Sequence, residues 1–83
     1  MVRSMIVDGA QIRAGRALIG WHQRELAAAA QVHWNTVALL ESQQQLPPAK
    51  RRRCRVALER IERALSREGV RLIAQPIVGV GLV

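Results

Sequence analysis

Four residues set the limits on what this chain can become. Gly20, the consecutive Pro47 and Pro48, and Gly69 each stop a helix, so the 83 residues must fold as a series of short helical segments. Between the stops, apolar residues recur at helical spacing. A first helix is expected from Gly9 to Ile19 with Asp8 as its N-cap, Ile12 and Ile19 facing inward, and Ala14, Ala17 and Leu18 widening that stripe. Trp21 then folds back as an apolar staple. A second helix, Gln23 to Ala29, turns Leu26 and Ala27 inward. A tight turn at Ala30, Gln31 and Val32 leads to a third, His33 to Ser42, whose core face is Val37 and Leu40, with Val32 packing just before it.

Residues 42–48 read as a loop. A longer helix follows from Ala49 to Glu68, with Cys54, Leu58, Ile61 and Leu65 on one stripe. Beyond Gly69, Val70 to Ile73 alternates and is rich in β-formers. Gln75 and Pro76 then turn the chain, and Val78 to Val83 supplies a second strand. The fold class implied is mainly α: a compact bundle of four or five helices with a short C-terminal β strand or hairpin. It reads as a single domain, with the bundle in 9–68 and the β segment in 69–83.

Charge narrows the function. Thirteen Lys and Arg against six Asp and Glu give a net charge of +7, which favours a polyanionic partner because each cation placed on a phosphate releases a counterion. With Cys54 as the only cysteine there is no internal disulfide, and a reducing cytosol is the simplest setting. The arginines around Cys54 would favour its thiolate and a redox role, whereas its place on the apolar stripe favours packing. No signal peptide is visible, and the apolar segment 77–83 is too short to span a bilayer. A cytoplasmic, nucleoid-associated protein without membrane contact is expected. His22, His33 and Cys54 show no metal-ligand spacing, and there is neither a Ser-His-Asp set nor a Gly-rich phosphate loop. An enzyme is therefore not expected, nor a cofactor or a metal.

Two short helices joined by a three-residue turn are the core of a helix-turn-helix. The run Gln11–Ala27, with Gly20-Trp21-His22-Gln23-Arg24-Glu25-Leu26-Ala27 at its end, resembles the first two helices of the phage-repressor-like (Cro/C1, or XRE) transcriptional regulators. Val32-His33-Trp34-Asn35-Thr36-Val37-Ala38-Leu39-Leu40-Glu41 resembles their turn and recognition helix. The likeness runs without a gap from Gly9 to Ser42, about half the chain. It implies a lambda-repressor-like bundle that binds double-stranded operator DNA, with the third helix in the major groove. Where the family has a glycine in the turn at positive φ, this chain has Gln31; where its N-caps are often Ser or Thr, this chain has His22 and His33.

Several residues inherit roles from that likeness. Gln23, at the start of the second helix, is placed for a phosphate or a base edge. Trp34, Asn35 and Thr36 lie in the first turn of the recognition helix. Asn35 suits adenine, Thr36 a base or a thymine methyl, and Trp34 either sugar and a thymine methyl or the surface of a partner protein. His33 serves as N-cap and as a phosphate ligand. Leu39 stands where a polar DNA-facing group is common, and Gln43 lies just beyond the helix. Lys50, Arg51 and Arg52 open a basic run suited to phosphates. Arg16 and Glu41 correspond to the family's partly buried ion pair, a structural role. A homodimer is expected because one module reads few base pairs. The apolar tail residues Val70, Leu72, Ile77, Val78, Val80, Leu82 and Val83 are the expected interface. The rival reading is an antitoxin or anti-activator that uses the same scaffold against a protein.

Overall fold

The computed structural model describes residues 6–73 and 79–82, with side chains for 6–72. Five helices and a hairpin follow one another: α1 (Gly9–Leu18), α2 (Gln23–Ala30), α3 (Trp34–Glu41), α4 (Pro48–Arg53), α5 (Arg55–Arg67), β1 (Val70–Ile73) and β2 (Gly79–Leu82). The fold is mainly helical. The expected turn at Gln75 and Pro76, and residues 77, 78 and 83, lie outside the described residues.

Each helix begins and ends for a local reason. Asp8 caps α1 by accepting from the Ala10 N–H at 2.8 Å. The buried Gln11 amide oxygen reaches back to accept from Val7 and Asp8 N–H at 2.7 and 3.1 Å. Gly20 supplies a positive φ of 70° at the exit of α1, and Gly69 one of 84° at the exit of α5. Gln31 ends α2 in the left-handed region at φ 57°, the one non-glycine residue with positive φ among those described. That conformation is tolerated because the turn is tied from outside. Arg60 and Arg67 of α5 donate to the carbonyls of Gln31 and Ala29 at 3.0 and 3.1 Å, placing cations on the negative end of α2.

The core is built from Ile6, Ile12, Leu26, Val37, Leu40, Leu58, Ile61, Leu65 and Val70, all fully buried, with α2 lying along α5. Leu26, Ala27, Val37 and Leu40 therefore face inward as their spacing predicts. Two expectations are corrected. Ala14, Ala17 and Leu18 do not widen the inner stripe of α1; they are exposed, Leu18 by 44 %. The inner face is instead Gln11, Ile12 and Gly15, and a Cβ at Gly15 would stand 3.0 Å from the Leu65 side chain. The absence of a side chain lets α1 approach α5 and β1 closely. Second, the Ala49–Glu68 helix is interrupted at Cys54, at φ −101° and ψ 20°. The Cys54 N–H still reaches the Lys50 carbonyl and the Leu58 N–H reaches Cys54, both at 2.9 Å, so the interruption is one residue wide. Cys54 is partly buried against the core there.

The hairpin is antiparallel, pairing Val70 with Leu82, Arg71 with Gly81, Leu72 with Val80 and Ile73 with Gly79. Both strands lie against α1, and Val70 and Leu72 are buried in this chain's own core. These two are therefore not free interface residues, which corrects the expectation placed on them. Strand pairing leaves the second edge of β2 without a partner among the described residues.

Two clasps fix α3 against α1. The first is backbone: the Gly9 N–H donates to the Gln43 carbonyl at 2.9 Å, and a Cβ at Gly9 would collide with the carbonyl oxygens of Leu40 and Gln43. The second is ionic. Arg16 meets Glu41 through Nε–Oε2 at 2.6 Å and Nη2–Oε1 at 2.8 Å, while Nη1 donates to the Trp21 carbonyl at 2.8 Å. Glu41 is 4 % exposed. The hydrogen-bonded carboxylate raises the Arg16 pKa above its ordinary value, against the opposing effect of burial.

Three outcomes follow from these contacts. Gly9→Ala should destabilise the fold by at least about 2 kcal/mol, read from urea unfolding, because the clash is with backbone that cannot give way. Gln31→Gly should raise stability by about 0.5–1 kcal/mol, relieving the left-handed conformation. Arg16→Met should cost about 3–5 kcal/mol by stranding the buried Glu41, and Glu41→Leu added to it should recover much of that loss. The raised pKa means that the guanidinium is charged everywhere below its ordinary value, and its contribution is lost only as pH rises through the folded value. The stability gap between wild type and the Arg16→Met/Glu41→Leu double variant, which carries neither charge, should therefore stay constant from about pH 7 to about pH 10.

Candidate nucleic-acid interface

Residues 31–33 separate α2 from α3, and at 100° per residue they leave α3 with a sharply divided surface. Val37, Leu40 and Glu41 are buried. Directly opposite stand Asn35, Leu39 and Ser42, at i, i+4 and i+7, and all three are exposed. Trp34 and Thr36 flank this ridge on either side, Trp34 exposed by 40 % and Thr36 half-buried. The N-cap of α3 is His33, whose Nδ1 accepts from the Asn35 backbone N–H at 3.1 Å. That bond occupies Nδ1 and leaves Nε2 directed away from the helix start. The Asn35 amide, Thr36 hydroxyl and Trp34 indole N–H have no hydrogen-bond partner among the described residues.

The sequence-derived candidates fall into three groups. Gln23 and Trp34 line one shallow depression together with Arg16, His22 and Arg24. Gln23 is half-buried, and its amide nitrogen donates to Glu41 Oε1 at 3.2 Å. It is thereby joined to the Arg16–Glu41 pair through one N–H, leaving its second N–H and its amide oxygen available for a ligand. Leu39, 52 % exposed, and Asn35 belong to the ridge. Gln43 is half-buried just past α3, where its backbone is engaged by Gly9.

The basic run occupies α4. Lys50 and Arg51 are half-buried, Arg52 and Arg53 exposed. Arg51 lines a depression with Val7, Asp8, Leu46 and Pro47, and its buried Nε has no hydrogen-bond partner. Of the three cations taken from sequence, Arg52 is the one standing freely in solvent. No cation lies on α3 itself.

One residue escaped the sequence reading. Arg24, the second residue of α2, places its guanidinium carbon 4.6 Å from the centroid of the Trp34 ring, an interaction worth roughly 0.5–1 kcal/mol at an exposed position. The signal that would have found it is positional: the short turn brings the starts of α2 and α3 together, so a long cation at the head of the first reaches an aromatic at the head of the second. Among the described residues no helix is long and apolar enough to cross a membrane. The chain matches no known family model, and it matches no curated protein sequence.

Proposed function

We propose that this chain is a sequence-specific double-stranded DNA-binding transcriptional regulator that works as a homodimer. The observation that carries the reading is the face of α3: in the first helical turn Asn35 and Thr36 present polar groups with no hydrogen-bond partner among the described residues and Trp34 an exposed ring, on a helix clasped from behind by Arg16–Glu41. In this reading α3 enters the major groove, the Asn35 amide bonds an adenine edge, and Thr36 meets a base or a thymine methyl. His22, Gln23 and His33 take the flanking phosphates, with Arg52 and Lys50 on the backbone further along. The +7 net charge supports the same partner through counterion release. Two copies would read half-sites about one helical turn apart. With Val70 and Leu72 occupied in the core, the second edge of β2 is, among the described residues of the tail, the part left to join them.

A second reading has its own observation. The α3 ridge holds no lysine or arginine and exposes Trp34 and Leu39, a composition suited to a protein surface in an antitoxin or anti-activator.

Mixed-sequence duplex DNA in a mobility-shift assay separates the two. Affinity should fall steeply as salt rises, and Arg52→Ala should weaken binding to all duplexes alike and reduce the salt slope by about one. Asn35→Ala should instead relax preference at one base pair, by about 1–3 kcal/mol, with the salt slope unchanged. Absence of salt-dependent duplex binding would select the protein-docking reading. Sedimentation at micromolar concentration should show a dimer on a duplex carrying two half-sites; one copy bound per duplex would refute the dimer.

A further inference from the structure

We propose that Arg24 and Trp34 act as one specificity-determining unit that reads a guanine next to a 5-methylpyrimidine in the major groove; this rests on the DNA-binding reading above. The two residues come from different helices and meet over the turn, the guanidinium stacked on the indole at 4.6 Å. Other arginines of this chain spend their donors on the protein: Arg13, Arg16, Arg60 and Arg67 each donate to a carbonyl, and Arg16 also to a carboxylate. Arg24 makes no hydrogen bond or ion pair among the described residues. The neighbouring Glu25 carboxylate is occupied by the His22 backbone N–H at 2.7 Å. The ring thus biases the orientation of the planar Arg24 fork and leaves its edge open.

A pre-oriented, unfilled guanidinium fork matches the paired N7 and O6 acceptors of guanine, the base-edge pattern that arginine recognises in two parallel bonds. A freely rotating cation at the same place would settle on a phosphate. The stack supplies the difference, because it restricts the side chain before DNA arrives. Trp34 adds the second half of the reading. Its ring is 40 % exposed, and the apolar group that the major groove offers it is the C5 methyl of thymine or 5-methylcytosine. A methyl seated against the ring beside the guanine would also exclude water from the guanidinium–guanine bonds and strengthen them. The step so recognised is a thymine or a 5-methylcytosine adjacent to guanine. Arg24 touches the guanine; Trp34 both touches the methyl and positions Arg24.

The test starts from duplexes selected out of a random-sequence library by the full chain, then compares affinities at fixed salt. Exchanging the selected guanine should weaken wild-type binding about tenfold or more. Replacing the adjoining thymine with deoxyuridine should weaken it about fourfold, the worth of one buried methyl, and 5-methylcytosine paired with guanine at that position should restore it. Arg24→Ala should abolish the guanine preference, and Arg24→Lys, which keeps the charge but not the fork, should reduce it while leaving the salt slope unchanged. Trp34→Leu should erase the deoxyuridine effect and reduce the guanine preference. Both residues are exposed, and unchanged thermal unfolding of the variants serves as the folding control. Retention of the guanine preference in Arg24→Ala overturns the proposal, as does an affinity indifferent to the methyl. Either result leaves salt-dependent DNA binding standing. A chain that binds no duplex at any salt overturns this proposal together with the reading beneath it.

Discussion

Glu41 sits in the interior, and an interior carboxylate must be answered by donors on every side. Arg16 answers with two bonds, Gln23 with its amide, and Arg13 with a bond to the Glu41 backbone carbonyl at 3.2 Å. Arg16 in turn holds the carbonyl of Trp21, the residue leading into α2. One side chain of α3 thus gathers the end of α1 and the start of α2 around itself. Apolar packing of Val37 and Leu40 would bring α3 into the bundle but tolerates rotation and sliding. Directional bonds of fixed length do not. The outward direction of Asn35 is therefore set by a polar arrangement on the other side of the helix.

The second constraint is backbone against backbone. Gly9 stands where any side chain would strike the carbonyl end of α3, and the adjoining Leu46 N–H reaches the Val7 carbonyl at 3.0 Å. Residues 6–9 are consequently part of the wall that supports α3, although they precede the first helix. At the opposite end, the hairpin closes over α1 and removes Val70 and Leu72 from solvent. The chain completes its own core with a segment whose apolar composition reads, in isolation, as material for a partner.

Much of this was legible because helices advertise their apolar faces. Leu26, Val37, Leu40, Leu58, Ile61 and Leu65 fall inside as their 3.6-residue spacing demands. What was not legible involves residues that hydrophobic counting passes over. The inner face of α1 contains Gly15 and Gln11, one useful for lacking a side chain and the other for accepting two backbone donors. Counting apolar residues alone turned that helix toward Ala14, Ala17 and Leu18. The interruption at Cys54 carries no proline or glycine to announce it, and the apolar stripe runs straight through. At the candidate interface, residue types and spacing indicated Asn35 and Trp34. They could not show that Gln23 lends its amide to Glu41, that Arg51 is half-buried while Arg52 is free, or that Arg24 lies on Trp34.

The cations of this chain are twelve arginines and a single lysine, Lys50. The contacts explain why that imbalance has physical content. Carbonyls at the ends of helices are shared by planar, multi-donor heads: Arg60 and Arg67 close α2, Arg13 closes α3, and Arg16 binds a carboxylate and a carbonyl at once. Part of what a charge count records as an electrostatic surface is in fact mortar between helices. A version of the chain with every arginine exchanged for lysine would keep the same far field and the same pull on a polyanion. It would lose the joints that give that field a shape, and arrive at its partner as a charged but poorly defined body.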